Sequence, residues 1–199
     1  MWEDFDSCNS ESFLEIDVDV FYNHDTCRNC QGRLRRIIAE ANDHLRDVMI
    51  ELIPPKKFTK ITRKYWNFTQ EHYNVYNYLH REGKKPLNLL FVKGNMPGLT
   101  PGWAKGMMCS NGNVRLASIK LWNRKGNGKR MAHEIGHILG ACHVYDEFDV
   151  MSVGYGDREI RFCGTRELVH DFVKANCKPF VRQCKIRSEA VSPNHEFAA

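Results

Sequence analysis

Residues 133–143 read His-Glu-Ile-Gly-His-Ile-Leu-Gly-Ala-Cys-His, and the rest of the chain is interpreted outward from this stretch. His133 and His137 are four residues apart, so a helix would place both imidazoles on one face, about one turn from each other. Glu134 follows the first histidine, where a carboxylate can lie near a metal ion without having to bind it. The stretch therefore predicts a helix that carries a metal site.

The second half of the stretch supplies a third ligand. Gly140 comes three residues after His137, where a helix can end and turn sharply through a positive φ, so that His143 returns toward the metal. Neutral imidazoles suit Zn²⁺, and three of them leave the fourth tetrahedral position open for water. The sequence therefore predicts one catalytic Zn²⁺ bound by His133, His137 and His143, with Glu134 as general base.

The ordinary alternative is a group of histidines on an amphipathic helix whose ring nitrogens are satisfied by hydrogen bonds in the core. The pattern fixes five positions within eleven residues, four of them rare residue types. At average composition, such a match occurs by accident in fewer than about one chain in ten thousand. The zinc site is therefore the favoured interpretation.

The extended pattern resembles the zinc signature of the metzincin metalloendopeptidases. Those enzymes also have a methionine-containing turn beneath the metal, and Asp149-Val150-Met151-Ser152 is similar to it. The resemblance implies that Met151 forms a soft apolar floor under the three histidines, although ordinary core packing is equally consistent with its position.

The sequence resembles two metzincin subfamilies at once. Residues 102–110, Gly-Trp-Ala-Lys-Gly-Met-Met-Cys-Ser, are similar to the edge-strand segment of adamalysin/reprolysin-type metzincins. The eight-residue step from His143 to Met151, and Tyr155 four residues further on, match the matrixins instead. Position 144 is Val, where these subfamilies usually have Asp or Ser. An adamalysin-like domain with matrixin-like spacing is implied. Its expected substrate-binding residues are Gly102, Trp103, Ala104 and Tyr155.

Hydrophobic periodicity predicts alternating strands and helices. The predicted strands are Phe13–Tyr22, Lys57–Trp66, Pro86–Val92, a short piece around Trp103, and Val114–Leu121. The predicted helices are Gln31–Leu52, Thr69–Arg81, one that begins near Lys129, and Thr165–Cys177. This order, with the resemblance, predicts a metzincin-like α/β (α+β) fold with a twisted mixed sheet, an antiparallel edge strand and long helices that include the zinc-binding helix.

The whole chain, 1–199, is expected to be a single metalloprotease domain. Residues 1–143 would form a lobe that holds the sheet and the zinc helix, and 144–187 a small irregular C-terminal lobe with the methionine turn and a terminal helix. Residues 188–199 would be a loose tail.

The net charge of +5 raises the question of an acidic partner. Basic residues cluster in 33–36, 56–64 and 124–130, so affinity for acidic polymers is possible. Solvated surface faces are the favoured explanation, and no specific nucleic-acid binding is expected, because no aromatic-rich RNA motif or helix-turn-helix accompanies the charge. No run of 18 apolar residues occurs, which excludes a helical membrane span.

Eight cysteines are dispersed along the chain, an even number that suits disulfides and an oxidising compartment. Residues 1–6 lack a signal-peptide pattern, so either the protein is intracellular with reduced thiols, or this is a mature domain without its leader. The cysteines favour the second alternative and predict a secreted protein.

The expected activity is zinc-dependent hydrolysis of peptide bonds in protein or peptide substrates by a monomer. Two other classes stay open: a secreted zinc-binding pseudoprotease, and a polyanion-binding module with a structural metal. The intact Glu134 disfavours the pseudoprotease, since such a protein has no need of that carboxylate.

Overall fold

The computed structural model describes residues 13–23, 30–61, 68–82, 87–94, 102–105, 115–122, 126–141, 143, 149–152 and 181–185. Its strands are β1 (Phe13–Asn23), β2 (Ile50–Ile53), β3 (Thr59–Ile61), β4 (Leu87–Lys93), β5 (Gly102–Lys105), β6 (Arg115–Leu121) and β7 (Val181–Lys185). Its helices are α1 (Cys30–Leu45), α2 (Phe68–Glu82) and α3 (Asn127–Ile138), and a short 3₁₀ helix (Arg46–Val48) follows α1.

The strands form one mixed sheet in the order β2-β1-β4-β6-β5. The first four run parallel, and β5 runs antiparallel to β6 at the end of the order. β3 pairs in parallel with the last residues of β1, and β7 pairs antiparallel with its first residues. The prediction of a mixed sheet with an antiparallel edge strand is confirmed.

Helices cover both faces of this sheet. α1 and α3 pack on one face, where the main core includes Ile16, Leu34 and Ile135. α2 covers the other face, with a smaller core around Phe68, Leu79 and Leu90. Because side chains alternate along a strand, successive residues of β4 and β6 reach opposite cores. This explains why β4 is a nearly continuous apolar run, interrupted by Asn88, and is buried except at its last residue.

The prediction of one helix from Gln31 to Leu52 is wrong at its C-terminal end. α1 ends at Leu45, and Met49 adopts a left-handed conformation (φ 58°) that breaks the helical path. The following strand, β2, then runs parallel to β1. The Asn42 side chain stabilises this arrangement, since it donates to the Leu52 carbonyl (3.1 Å) and accepts from the Leu52 amide (2.9 Å).

Other predicted elements are confirmed with shifted bounds or lie outside the described residues. Of the strand predicted at Lys57–Trp66, residues 57–61 are described and Thr59–Ile61 form a strand, while 62–66 lie outside the described part. The predicted terminal helix, 165–177, and the tail from 188 also lie outside it. β7 was not predicted, and it returns residues from the expected C-terminal lobe to the main sheet. None of the described helices has the length and apolarity needed to cross a membrane.

Candidate metal centre

The start of α3 is fixed by two glycines. Gly126 precedes the helix in a left-handed conformation (φ 93°), which a residue with a Cβ rarely adopts. Gly128 lies so close to Glu40 of α1 that a Cβ there would collide with the Glu40 side chain. The close approach of the two helices holds α3 against the sheet, and so it fixes the first two histidines.

The end of α3 is closed by the glycine turn that the sequence predicts. Gly140 has φ 92°, and the amides of Gly140 and Ala141 donate to His137 O (3.1 Å) and Gly136 O (2.9 Å). This pair of bonds is a Schellman motif, which satisfies the last carbonyls of a helix while reversing the chain. The reversal brings His143 back to the histidines of the helix.

The three predicted ligands converge on one point. The Nε2 atoms of His133 and His137 are 3.2 Å apart, those of His133 and His143 are also 3.2 Å apart, and those of His137 and His143 are 3.0 Å apart. A tetrahedral zinc ion with Zn–N bonds of about 2.0–2.1 Å needs nitrogens about 3.3 Å apart. Among the described residues, these three form the only group of three or more potential ligands close enough to share a metal.

Backbone carbonyls orient two of the rings. His133 Nδ1 lies 2.7 Å from Val150 O, and His137 Nδ1 lies 3.0 Å from Ala141 O. A carbonyl only accepts, so each Nδ1 is the protonated nitrogen and each Nε2 presents a lone pair. Two lone pairs that face each other at 3.2 Å repel, and a cation between them removes that repulsion. The donor set therefore fits Zn²⁺, with outer carbonyls that fix the tautomers.

Burial keeps these rings in the neutral form that a metal requires. Burial lowers the pKa of His133 to about 4, although the Val150 carbonyl acts in the opposite direction. Burial also lowers the pKa of His137. Metal binding at neutral pH therefore displaces no proton from the acceptor nitrogens of these two ligands.

Glu134 lies directly beside the edge strand. Its side chain is nearly buried, and a Cβ at Gly102 of β5 would collide with its carboxylate and Cγ. Burial raises the pKa of Glu134 to about 8, while a cation held by the adjacent histidines would favour the charged carboxylate. The geometry brings a proton acceptor next to the strand whose outer edge has no partner strand among the described residues.

The residues expected to bind substrate divide between the two faces of β5. Gly102 faces Glu134, and Ala104 packs against the core that contains α3. The Trp103 side chain lies on the opposite face, stacked on His72 of α2 with ring centroids 4.9 Å apart. Trp103 can therefore meet a substrate near the histidines only through its backbone. Tyr155 lies outside the described residues.

Met151 belongs to a tight turn against the first histidine. The Met151 amide donates to Asp149 Oδ1 (2.7 Å), and the Ser152 amide donates to Asp149 O (3.1 Å). The turn aims Val150 O at His133, and the Met151 side chain is fully buried in the main core. Sequence reasoning identified the turn and its methionine but not the hydrogen bonds of Asp149 and Val150 that shape it. The Asp-x-Met spacing was a usable signal, since aspartate often bonds the amide two residues on.

His72 and Ser118 were also missed. His72 Nδ1 lies 2.6 Å from Ser118 Oγ, and His72 is fully buried between the sheet and α2. The two residues are 46 apart in the sequence, and a lone histidine on a helix gives no signal of such a partner.

Comparison with known proteins finds similarity in structure only. No family model and no curated protein matches the sequence. Among solved structures, the fold is similar to that of archaemetzincin from Methanopyrus kandleri, with a TM-score of 0.55, 20% identity, and coverage of 80% of this chain and 96% of that one.

Two further solved structures are similar at 14% identity. Metalloproteinase-II from Bacteroides fragilis has a TM-score of 0.53, with 85% of this chain covered. The chain spans only 59% of that protein. The zinc-dependent peptidase from Methanocorpusculum labreanum has a TM-score of 0.51, with 77% of this chain and 99% of that chain covered. The fold of this chain is therefore similar to that of these three proteins, and its three convergent histidines can hold a metal ion.

Proposed function

We propose that this protein is a zinc-dependent endopeptidase of the metzincin type. The observation that carries the proposal is the convergence of the His133, His137 and His143 Nε2 atoms within 3.2 Å of one another. Glu134, the residue after His133 in α3, is the candidate proton acceptor. A structural zinc site needs no proton acceptor at its rim, whereas a hydrolytic site does. The adamalysin-like assignment from residues 102–110 stays part of this proposal.

The chemistry follows from what each side chain can do. A zinc ion bound by the three histidines would lower the pKa of a bound water and polarise a peptide carbonyl. Glu134 accepts the proton released when water attacks, and its burial favours the protonated form that then donates to the leaving amine. The backbone of β5 offers hydrogen bonds to an extended peptide, which would lie as an added strand beside Glu134.

A secreted location is part of the proposal. Its support is the even number of cysteines, and Cys30 in the first turn of α1 is disulfide-bonded. Disulfides persist in oxidising compartments such as the extracellular space. Protein or peptide substrates and a monomeric state are proposed with it.

The test is cleavage of a denatured protein by the zinc-loaded chain, followed by mass spectrometry of the products. Internal cleavage should stop with a chelator, return with added zinc, and be lost in Glu134→Gln while that variant still binds one zinc ion. The matched control is Asp43→Asn, which makes the same carboxylate-to-amide change on an exposed residue of α1. A zinc-loaded wild-type chain that cleaves no substrate would leave the pseudoprotease as the better reading.

A further inference from the structure

On the face of β5 that is turned away from the histidines, an aromatic and cationic cluster lies at the sheet edge. The Lys105 ammonium is 4.3 Å from the ring centroid of Tyr73 and 4.6 Å from that of Tyr76. Tyr73 also meets Trp103 edge to face, with centroids 5.1 Å apart. Lys105, Tyr73, Tyr76 and Trp103 are called the back-face cluster below.

The register of the sheet assigns this cluster to the α2 face. Trp103 is paired with Ser118, and Lys105 is paired with Leu116. Leu116 belongs to the smaller core under α2, and paired residues point to the same face. Gly102 lies against Glu134 of α3, and Ala104 packs against the main core on that same face. One face of this short strand therefore meets Glu134, and the other face carries the back-face cluster.

A peptide added to β5 would reach both groups at once. Its side chains alternate between faces, so residues on one side lie toward Glu134 and residues on the other side lie toward the back-face cluster. The side chain directly across from a strand residue is about 4.5–5.5 Å away at Cβ. Lys105 and Tyr73 would be the neighbours of the substrate residue that lies across from Lys105 on this face.

The Lys105 ammonium gives the cluster a positive charge, and no carboxylate among the described residues pairs with it. Lys105 contacts two tyrosine rings there, and its side chain is only half-buried. Tyr73 is 39% exposed, so a ligand can reach the cation from the ring side. Burial, with a smaller contribution from the charge of Lys105, lowers the pKa of the neighbouring His72 to about 4.

We propose that the back-face cluster is a specificity subsite that selects an acidic side chain in the substrate, with Lys105 as the residue that recognises it. The inference rests on the proposed function, since it names the substrate class of the same edge strand. Two tyrosine rings hold the ammonium in place, so a substrate carboxylate meets a positioned cation. Tyr73 provides an aromatic wall for the aliphatic part of that side chain.

The experiment is a cleavage profile of a peptide library by the zinc-loaded wild type, followed by kcat/KM for matched peptides with Glu, Gln or Lys at the enriched position. Wild type should favour Glu over Gln by about two- to fivefold, the scale of an exposed cross-strand ion pair, and the preference should shrink with added salt. Lys105→Met should abolish the preference, Lys105→Glu should reverse it toward Lys, and Lys105→Arg should retain it.

The matched control is Lys60→Glu, which makes the same charge change on β3, where the residue is exposed and far from β5 in the strand order. A wild type that cleaves peptides without acidic enrichment overturns the subsite alone. A Lys60→Glu profile that shifts as much as that of Lys105→Glu also overturns it, because bulk charge is then the cause. Absence of any cleavage by the zinc-loaded wild type overturns the proposed function, and the subsite with it.

Discussion

The carboxylate of Glu134 occupies the space that a Cβ at Gly102 would need. The residue proposed as general base and the edge strand proposed to bind substrate are thus in direct contact. The absence of a side chain at position 102 makes this contact possible. A peptide paired with β5 would have its backbone within one strand spacing of this contact, about 4.8 Å.

Gly102→Ala should therefore cut peptide cleavage with little effect on zinc binding. The added methyl group displaces the Glu134 carboxylate or pushes β5 outward, and a misplacement of about 1 Å can cost on the order of 100-fold in rate. The measurements are kcat and KM on one peptide, with zinc content by atomic absorption. Gly32→Ala is the control, because a Cβ at Gly32 meets nothing within 4 Å. Full activity in Gly102→Ala would show that the carboxylate does not need this position.

Asp149→Ala should weaken zinc binding by about tenfold, at the lower end of the effect of removing groups that orient metal ligands. The Asp149 side chain accepts from the Met151 amide (2.7 Å), and the turn it shapes points Val150 O at His133. Competition with a chromophoric chelator measures the affinity. Asp149→Asn keeps an acceptor oxygen and should lie close to wild type; equal losses in both variants would point to the charge rather than the turn.

Glu71 and His72 have pKa values displaced in opposite directions. Burial raises the pKa of Glu71 from 4.5 to about 7, against a hydrogen bond from Asn23, and lowers the pKa of His72 from 6.5 to about 4. Between pH 4.5 and 7 the unfolded chain releases the Glu71 proton that the folded chain retains, so this contribution to stability falls with pH. Between pH 4 and 6.5 the unfolded chain binds a proton at His72 that the folded chain does not, so that contribution rises.

The two slopes nearly cancel in the wild type, and single substitutions should separate them. Relative to wild type, the free energy of unfolding of Glu71→Gln should rise between pH 4.5 and 7, and that of His72→Gln should fall between pH 4 and 6.5. Each change should be on the order of 2 kcal/mol. Urea unfolding in the presence of a chelator removes the metal from the comparison. Variant curves that run parallel to the wild-type curve across this range would refute the assignment.

Asn42→Ala should lower the free energy of unfolding by about 1–3 kcal/mol, because it leaves the partly buried amide and carbonyl of Leu52 without the bonds they now make to this side chain. Chemical denaturation measures the loss. Asn77→Ala is the matched control on the exposed face of α2 and should change stability by less than about 0.5 kcal/mol. Similar losses in both variants would contradict the role given to the two hydrogen bonds of the Asn42 side chain.

Periodicity located most elements because their patterns come from local packing. β4 and β6 are buried runs and α2 is amphipathic, and these differ from their predicted bounds by one residue at each end or less. It failed at 46–53, where Val48 and Met49 continue the helical spacing while Met49 turns left-handed. The left-handed conformation of Met49 and the hydrogen bonds of Asn42 depend on where the next strand pairs. The local spacing of apolar residues carries no information about that pairing. β7 failed for the same reason, since its only described partner lies about 170 residues earlier, in β1.

The sequence by itself determined the ligand set and the turn that assembles it. His133, His137, Gly140 and His143 lie within eleven residues, and the helix pitch with one positive φ suffices to bring them together. Only the tertiary structure decided what surrounds them: the Val150 carbonyl behind His133, Gly102 against Glu134, and the turn of Trp103 toward His72. These contacts join residues that are 17 to 32 positions apart in the sequence. The contact of Trp103 with His72 also depends on which face of the four-residue strand β5 the Trp103 side chain occupies. The register of β5 on β6 sets that face, because a slip of one residue would exchange Gly102 and Trp103 between the metal centre and α2.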